Sequence, residues 1–419
     1  MNTEGIQLRP HKYPSNWEVK QLEEICLQNG LVRGPFGGSL KKEFFTKDGY
    51  KVYEQKNAIY RDSEVGSYYI DKVKFNELKR FEVHENDFIV SCSGTIGKIF
   101  LMPKGAEPGV INQALLLIKI DRNIINQQFF YSYFEWENFQ KSIIDNTQGG
   151  AMQNLVGMEI FRKTYIPIPP LHEQRAIAEA LSDVDALIAT QEALIAKKRA
   201  IKQEVMQDLL TGKRRLPGFS GEWEEKRLGY IGEFSKGKGL QKDDLDNNGK
   251  ILAIPYTAIY TDFNEIIKKD QIKNFTSTSD TVVINGDHLL IAGSSNMLEN
   301  IGKTCAYTLP QDVAIGGDII LFKTNANVCF ISYLLSTKYH RKRIISLSQG
   351  STIRHVYAST FSDYEIKLPS ISEQNNIVDI LSTLDAEIDE MDRKIKKMSF
   401  LKRGMMQELL TGRIRLTGV

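Results

Sequence analysis

Two glycine-bearing stretches carry residue types that bind phosphate: Ser93-Gly94-Thr95-Ile96-Gly97-Lys98 and Asn300-Ile301-Gly302-Lys303-Thr304. Glycine lets a backbone approach an anion, and lysine neutralises it. A nucleotide-binding P-loop needs a further glycine five residues before its Gly-Lys pair, and those positions are Cys92 and Met297. Both stretches therefore read as basic surface turns. Gly237-Lys238-Gly239 lacks the third glycine of a dinucleotide fingerprint. The six histidines (11, 84, 172, 288, 340 and 355) form no HExxH pattern or paired-ligand spacing, and no serine sits in GxSxG. No Asn-Pro-Pro-aromatic motif is present to hold a target base. Cys26, Cys92, Cys305 and Cys329 are scattered, without metal-ligand spacing, as expected of reduced cytosolic thiols. Catalysis by this chain is not expected.

Binding chemistry remains. The loop Arg33-Gly34-Pro35-Phe36-Gly37-Gly38-Ser39-Leu40-Lys41-Lys42 is flexible and rich in donors and cations, and Lys236-Gly237-Lys238-Gly239-Leu240-Gln241-Lys242 is its later counterpart. Such loops suit DNA phosphates. Gln148, Gln153 and Asn154 in the first half, and Gln349, Arg354 and His355 in the second, are able to make paired hydrogen bonds to base edges. With Ser93, Thr95 and Lys98 on one side and Ser294, Ser295 and Lys303 on the other, these residues form the candidate DNA-binding set.

The elements that position these loops are legible from a duplication. Residues 171–216 and 371–416 align without a gap, with 19 of 46 positions identical. Each copy follows prolines (Pro167, Pro169 and Pro170; Pro369) and ends in Leu-Leu-Thr-Gly at Gly212 and Gly412. Proline tolerates a helix beginning after it, and glycine terminates one in a left-handed conformation. Ser370 and Glu373 have capping-box spacing. About 40 residues between these signals predict a rod of roughly 60 Å.

The second copy has an apolar seam at Ile377, Leu381, Leu384, Ile388, Met391, Ile395, Met398, Met405 and Leu409, with Lys402 inside it. Its alternating steps of four and three are those of a coiled coil. The first copy repeats the seam at Ile177, Leu181, Val184, Ile188, Ile195, Val205 and Leu209, broken by Gln191, Lys198 and Lys202. Both copies are acidic early (Asp183 and Asp185; Asp385, Glu387, Asp389 and Asp392) and basic later (Lys197, Lys198, Arg199 and Lys202; Lys394, Lys396, Lys397 and Lys402). An antiparallel pair sets acidic halves beside basic ones, whereas a parallel pair would juxtapose like charges.

Weaker landmarks extend the repeat. Trp17 to Leu22 resembles Trp223 to Leu228, Ile96-Gly97-Lys98 matches Ile301-Gly302-Lys303, and Gln148-Gly149 matches Gln349-Gly350. Strands are predicted at 88–92, Leu115–Ile120, 281–284 and His288–Ala292, and helices near 127–141 and 328–345. The fold class is thus α+β. Two mixed α/β domains are each followed by a long helix, and the helices form an antiparallel coiled coil with internal pseudo-two-fold symmetry. The expected order is a first globular domain (1–170), a helix (171–212), a second domain (213–369), a helix (370–412) and a tail (413–419). A length of 419 residues exceeds one core. No apolar run approaches the ~20 residues that span a membrane, and the N-terminus lacks a signal-peptide layout. A net charge of +2 neither supplies nor excludes a basic surface.

The chain resembles the specificity (S) subunit, HsdS, of type I restriction-modification systems. The residues that carry the resemblance are Ile168-Pro169-Pro170-Leu171-His172-Glu173-Gln174 with Leu209-Leu210-Thr211-Gly212, and Leu368-Pro369 through Glu373-Gln374 with Leu409-Leu410-Thr411-Gly412. Gly34-Pro35-Phe36-Gly37, the 93–98 stretch and Val110-Ile111-Asn112-Gln113-Ala114 also resemble segments of its target-recognition domains. The second domain departs from the pattern at Leu298-Glu299-Asn300, and it has Gly316-Gly317 where the first has Asn112-Gln113.

The resemblance implies a cytoplasmic, non-catalytic host-defence subunit whose domains each read one half of a bipartite, asymmetric double-stranded DNA target. The helices would set the spacing. It further implies two methyltransferase (M) subunits carrying S-adenosylmethionine and two restriction (R) subunits using ATP and Mg2+, with no cofactor or metal on this chain. The alternatives are a coiled-coil scaffold whose globular ends bind proteins, and a self-contained nuclease. The nuclease is disfavoured because no metal-binding carboxylate constellation is recognisable.

Overall fold

The computed structural model describes residues 13–145, 154–155, 157–246 and 248–416. The chain divides into two compact units, Met1–Glu192 with Arg393–Val419, and Ala193–Asp392. Two helices of 39 residues each, Leu171–Leu209 and Ile371–Leu409, contribute to both. Helix geometry ends at Leu209 and Leu409, short of the expected Gly212 and Gly412. Leu210 N still bonds Met206 O at 2.9 Å, after which Gly212 and Gly412 turn the chain away with φ of 69° and 70°. Only glycine adopts that region without strain.

Within each unit the beginning of one helix packs on the end of the other. In the first unit Ile177, Ala178 and Leu181 share a core with Met406, Leu409 and Leu410. In the second, Ile377 and Leu381 share one with Met206, Leu209 and Leu210. Each pairing is antiparallel. Along the seam Ile195, Ile388 and Met391 are buried; Val184, Ile188, Val205, Leu384, Ile395, Met398 and Met405 are half-buried. Opposite charges meet as their polarity requires. Lys198 pairs with Glu387, Arg199 with Asp392 at 2.8 Å and Lys202 with Asp385 at 2.6 Å in the second unit. Lys402 pairs with Asp185 at 2.7 Å in the first. The exposed pairs are each worth ~0.2–1 kcal/mol and serve orientation more than stability.

The repeated Glu-Gln dipeptide ties each helix start to its surroundings. The Glu173 carboxylate is fully buried and accepts from Arg415 Nε at 2.5 Å, Arg415 Nη2 at 2.7 Å and Trp17 Nε1 at 3.0 Å. Glu373 accepts from Arg215 Nε and Nη2, both at 2.7 Å. Its carboxylate is therefore turned away from the capping box. Ser370 Oγ accepts from Glu373 N at 3.3 Å, but the return bond is replaced by the arginine. The adjacent glutamines stitch three segments together. Gln174 accepts from Asn126 N at 2.6 Å and donates to Pro169 O at 2.7 Å and Ile124 O at 3.1 Å. Gln374 accepts from Asn327 N at 3.0 Å and donates to Pro369 O at 2.9 Å. A buried amide with all these partners holds one geometry, because losing any of them strands a polar atom.

The globular part of each unit is built on two larger sheets, with two-stranded pairs beside them. In the first unit Cys26–Arg33, Leu115–Ile120, Phe88–Ser91 and Ile99–Leu101 lie side by side in that order, all antiparallel. In the second unit Gly232–Lys236, Ile319–Thr324, His288–Ala292 and Thr304–Tyr307 repeat the order. The other larger sheet in each unit contains one parallel pair among antiparallel ones. Tyr50–Tyr53 runs parallel to Gly109–Ile111, and Ile251–Ile254 parallel to Val313–Ile315.

The strands expected at 88–92 and 281–284 are each one residue shorter, Phe88–Ser91 and Val282–Ile284. Each expected helix is broken in two: Gln127–Glu135 and Glu137–Ile143, then Val328–Ser336 and Lys338–Leu347. One extended residue, Trp136 (ψ 131°) or Thr337 (ψ 151°), re-aims the second segment. That turn keeps Phe139 against Phe134, with ring centroids 5.3 Å apart, and keeps Ile344 in the core.

The buried Glu173 makes a measurable prediction. Burial raises its pKa, but hydrogen bonds from Arg415 and Trp17 outweigh that and hold it below the usual carboxylate value. A lowered folded pKa contributes stability above the unfolded value of about 4.3, and that stability is lost as pH falls through the folded value. Arg415→Ala should cost on the order of 2 kcal/mol at neutral pH in denaturant unfolding of the full chain. The deficit should shrink as pH falls below the unfolded carboxylate value of about 4.3 and on through the lowered folded one.

Candidate nucleic-acid interface

In the first unit the register sets Arg33 opposite Leu116 and Ser91 opposite Leu115. Arg33 and the turn after Ser91 therefore open at the same end of the four-stranded sheet. Gly34 follows directly, its N donating to Leu115 O at 2.9 Å. A Cβ there would lie 1.8 Å from Asn112 O, so the loop passes a backbone only glycine can approach. Ser93, Thr95 and Lys98 are exposed on the turn, while Ile96 is buried beneath it. Gly97 N donates to Ser91 O at 2.9 Å and Lys98 N to Ser91 Oγ at 3.0 Å. The Ile-Gly-Lys stretch is a packed hairpin whose amides are engaged internally, in keeping with the surface-turn reading.

The second unit repeats the frame with different side chains. Lys236 lies opposite Ile320 and Ala292 opposite Ile319, again at one sheet end. Gly302 N donates to Ala292 O at 2.9 Å, and a Cβ on Gly237 would fall 2.1 Å from Gly316 O. Gly316-Gly317 thus occupies the place of Asn112-Gln113 despite the change of residue.

Six expected residues converge here. Ser294 pairs with His355, Ser295 with Arg354, and Gln349 bridges to His355. Ser294 Oγ donates to Asp318 Oδ2 at 3.1 Å, and Lys236 lies 3.4 Å from the same carboxylate. Arg354 Nε donates to Ser348 Oγ at 2.7 Å, which fixes the guanidinium. The His355 and Tyr357 rings are stacked with centroids 6.4 Å apart, and Tyr357 is exposed. Tyr256 lies beside Tyr260, whose phenol is pushed up to about 12 by burial, Tyr256 and Asp318.

The remaining expected residues are dispersed. Ser39 and Lys42 are exposed on the short 3-10 turns Gly37–Leu40 and Lys42–Phe44, with exposed Lys41 extended between them, so the expected flexible loop has local structure. Lys41 lies 3.7 Å from Glu43, Lys238 pairs with Asp280, and Lys242 is exposed on the turn Lys242–Asp244. Lys303 Nζ donates to Phe263 O at 2.8 Å. Ser294 and Ser295 are buried. Asn154 lies in a two-residue strand paired with Ile144–Asp145; Gln148 and Gln153 lie outside the described residues. Asp318, Tyr256 and Tyr357 carried no sequence signal, because they meet the site only through folding.

Among the described residues no group of His, Cys, Asp or Glu side chains is arranged to hold a metal ion. All four cysteines are free thiols, each pushed up to about 12, chiefly by burial. They are neutral at physiological pH and poor nucleophiles. No helix among the described residues is long and apolar enough to cross a membrane.

Comparison with known proteins places these features in a family. The model of the type I restriction modification DNA specificity domain matches residues 14–197 and again 220–398. The chain is 26% identical to the MjaVIII specificity subunit of Methanocaldococcus jannaschii, over 97% of this chain and 94% of that protein. It is 25% identical to the EcoBI specificity subunit of Escherichia coli, over 88% and 80% respectively. The fold is similar to the crystal structure of the S subunit from M. genitalium (TM-score 0.55, 18% identity, 97% of this chain and 98% of that one). A structure from a study of type I restriction-modification complex assembly gives a TM-score of 0.56 at 16% identity, over 97% of this chain and all of the other.

The glycine contacts predict a local defect. Gly34→Ala and Gly237→Ala should each lower stability by about 1–3 kcal/mol in denaturant unfolding, because the added methyl meets a main-chain oxygen. Gly105→Ala, where nothing lies within 4 Å of an added Cβ, is the open-space control; its φ of 81° adds only the strain of a left-handed residue.

Proposed function

The chain belongs to the type I restriction modification DNA specificity family, and from that premise we propose that each of its units reads one half of a bipartite DNA target. The observation that carries this reading is the repeated sheet end. The same strands and glycine-pinned loops recur in both units, but the sheet end carries Arg33, Ser93 and Thr95 in one and Lys236, Gln349, Arg354 and His355 in the other. A common frame with different hydrogen-bonding groups reads different bases, so the two half-sites differ.

Exposed Lys41, Lys42, Lys238 and Lys242 hold phosphates and fix register, while amide, guanidinium and imidazole groups read base edges. The helices supply the spacer. At 1.5 Å per residue a 39-residue helix spans well over one ~34–36 Å turn of DNA. Intervening base pairs then count by number and not by identity.

The chain itself performs no chemistry. Two methyltransferase subunits carry S-adenosylmethionine and extrude the target adenine, a step that needs an enclosing pocket. Two restriction subunits supply ATP- and Mg2+-dependent translocation and cleavage. This chain binds DNA and these partners in the cytoplasm.

Mapping methylated adenines in DNA modified by the assembled complex tests the reading. A two-part asymmetric motif with a spacer of fixed length is expected; methylation at one continuous short motif would contradict it. Reversing the charge of Lys41 and Lys42 should weaken binding at every sequence. It should also reduce the slope of log affinity against log salt by about 2, since each phosphate contact contributes ~0.9.

A further inference from the structure

Lys202 interrupts the apolar seam of the first long helix, and DNA reading makes no use of it. Its side chain is buried in the second unit, where an ammonium is costly unless paired. Nζ lies 2.6 Å from Asp385 on the second long helix and 3.1 Å from the Glu265 carboxylate of the globular region. Glu265 is fastened in turn. Its carbonyl accepts from Ala306 N at 2.8 Å and from Ser332 Oγ at 2.7 Å. Tyr333, next along the chain, donates its hydroxyl to Asp385 at 2.6 Å. Lys268 adds an ion pair with Asp389. One lysine thus joins both long helices to the globular region of its unit.

The first unit repeats the helix-to-helix pair, whereas its globular carboxylate pairs with an arginine and not with the seam lysine. Lys402 and Asp185, the repeat equivalents of Lys202 and Asp385, pair at 2.7 Å with the helices exchanged. The globular carboxylate is Glu135, raised by burial, with Arg61 and Lys402 opposing the rise. Arg61 pairs with it directly. Asn126 and Asn327 occupy matching places, each capping a helix and bonding the Glu-Gln glutamine. In that register Glu135 aligns with Ser336 and not with Glu265.

We propose that Lys202 is a positioning residue that locks the second recognition region to the helix pair and thereby restricts the half-site spacing the protein accepts. A buried polar residue in an apolar seam fixes register at a cost in stability, and apolar residues in place of the whole ion-paired cluster would pack at least as well. The proposal rests on the bipartite reading above. Its physical basis is that a displacement of ~1 Å at a reacting centre lowers rates by about a hundredfold. A reading surface held at one angle on the helices rejects targets one base pair longer or shorter.

The test uses the complete complex with its methyltransferase subunits, on DNA carrying the mapped half-sites at the native spacing and at one base pair fewer or more. Glu265→Ala removes the lysine's tie to the globular region while leaving Lys202 and Asp385 paired between the helices. Lys202→Met removes both of the lysine's ion pairs, and Lys202→Arg preserves the charge. Glu265→Ala and Lys202→Met should keep both half-site sequences but reduce the preference for the native spacing by about tenfold, equivalent to ~1.4 kcal/mol. Lys202→Arg should retain the preference. If Lys202→Met fails to assemble, Glu265→Ala decides. Unchanged preference in Glu265→Ala, or an equal loss of methylation at every spacing, would overturn the positioning role. Absence of bipartite methylation by the unaltered complex would instead overturn the reading beneath it.

Discussion

Two buried carboxylates depend on arginines far away in the chain. Glu173 finds Arg415 across 242 residues, and Glu373 finds Arg215 across 158. Each pair fastens the first turn of one long helix to the chain that has just left the other. A carboxylate this deeply buried is unfavourable without its partner, so neither unit is complete until both helices have arrived. The adjacent glutamines then bind the segments at Ile124–Asn126 and Asn327 on which the sheet-covering helices begin. Through these few bonds the recognition sheet of each unit inherits its place on the helix pair.

The two units use this frame unequally. Trp17 donates to Glu173, whereas the corresponding Trp223 leaves its buried Nε1 without a partner. The short strand Asn154–Leu155 pairs with Ile144–Asp145 in the first unit, whereas Arg354–His355 pairs with Ser294–Ser295 in the second. Duplication preserved the groups that hold the frame and released those at its reading end. This division suits a protein whose halves must recognise different bases.

Much of the frame was legible in the sequence, because helix pairing is a local, periodic signal. Spacing of Ile377, Leu381 and Ile388 predicted the seam, and the charge reversal along each copy predicted the antiparallel sense seen in both Lys202–Asp385 and Lys402–Asp185. Leu115–Ile120 and His288–Ala292 are strands at their expected bounds, as short apolar runs between turns. Features made by distant partners were not legible. The arginine that turns Glu373 out of a capping box, the parallel strand in each second sheet and the kinks at Trp136 and Thr337 all arise from tertiary packing. The candidate site shows the same division. Glycine loops and basic residues were visible in the sequence, and Arg33 and Lys236 fall at one end of each four-stranded sheet, whereas Asp318, Tyr256 and Tyr357 reach the candidate site only through the fold.

The central claim is that the two recognition regions read independently on a shared frame. Exchanging residues 213–369 for the corresponding segment of a relative, then mapping methylated adenines with the assembled complex, tests it most directly. The account predicts that one half-site takes the relative's sequence while the other half-site and the spacer length persist. A change in both half-sites would contradict it.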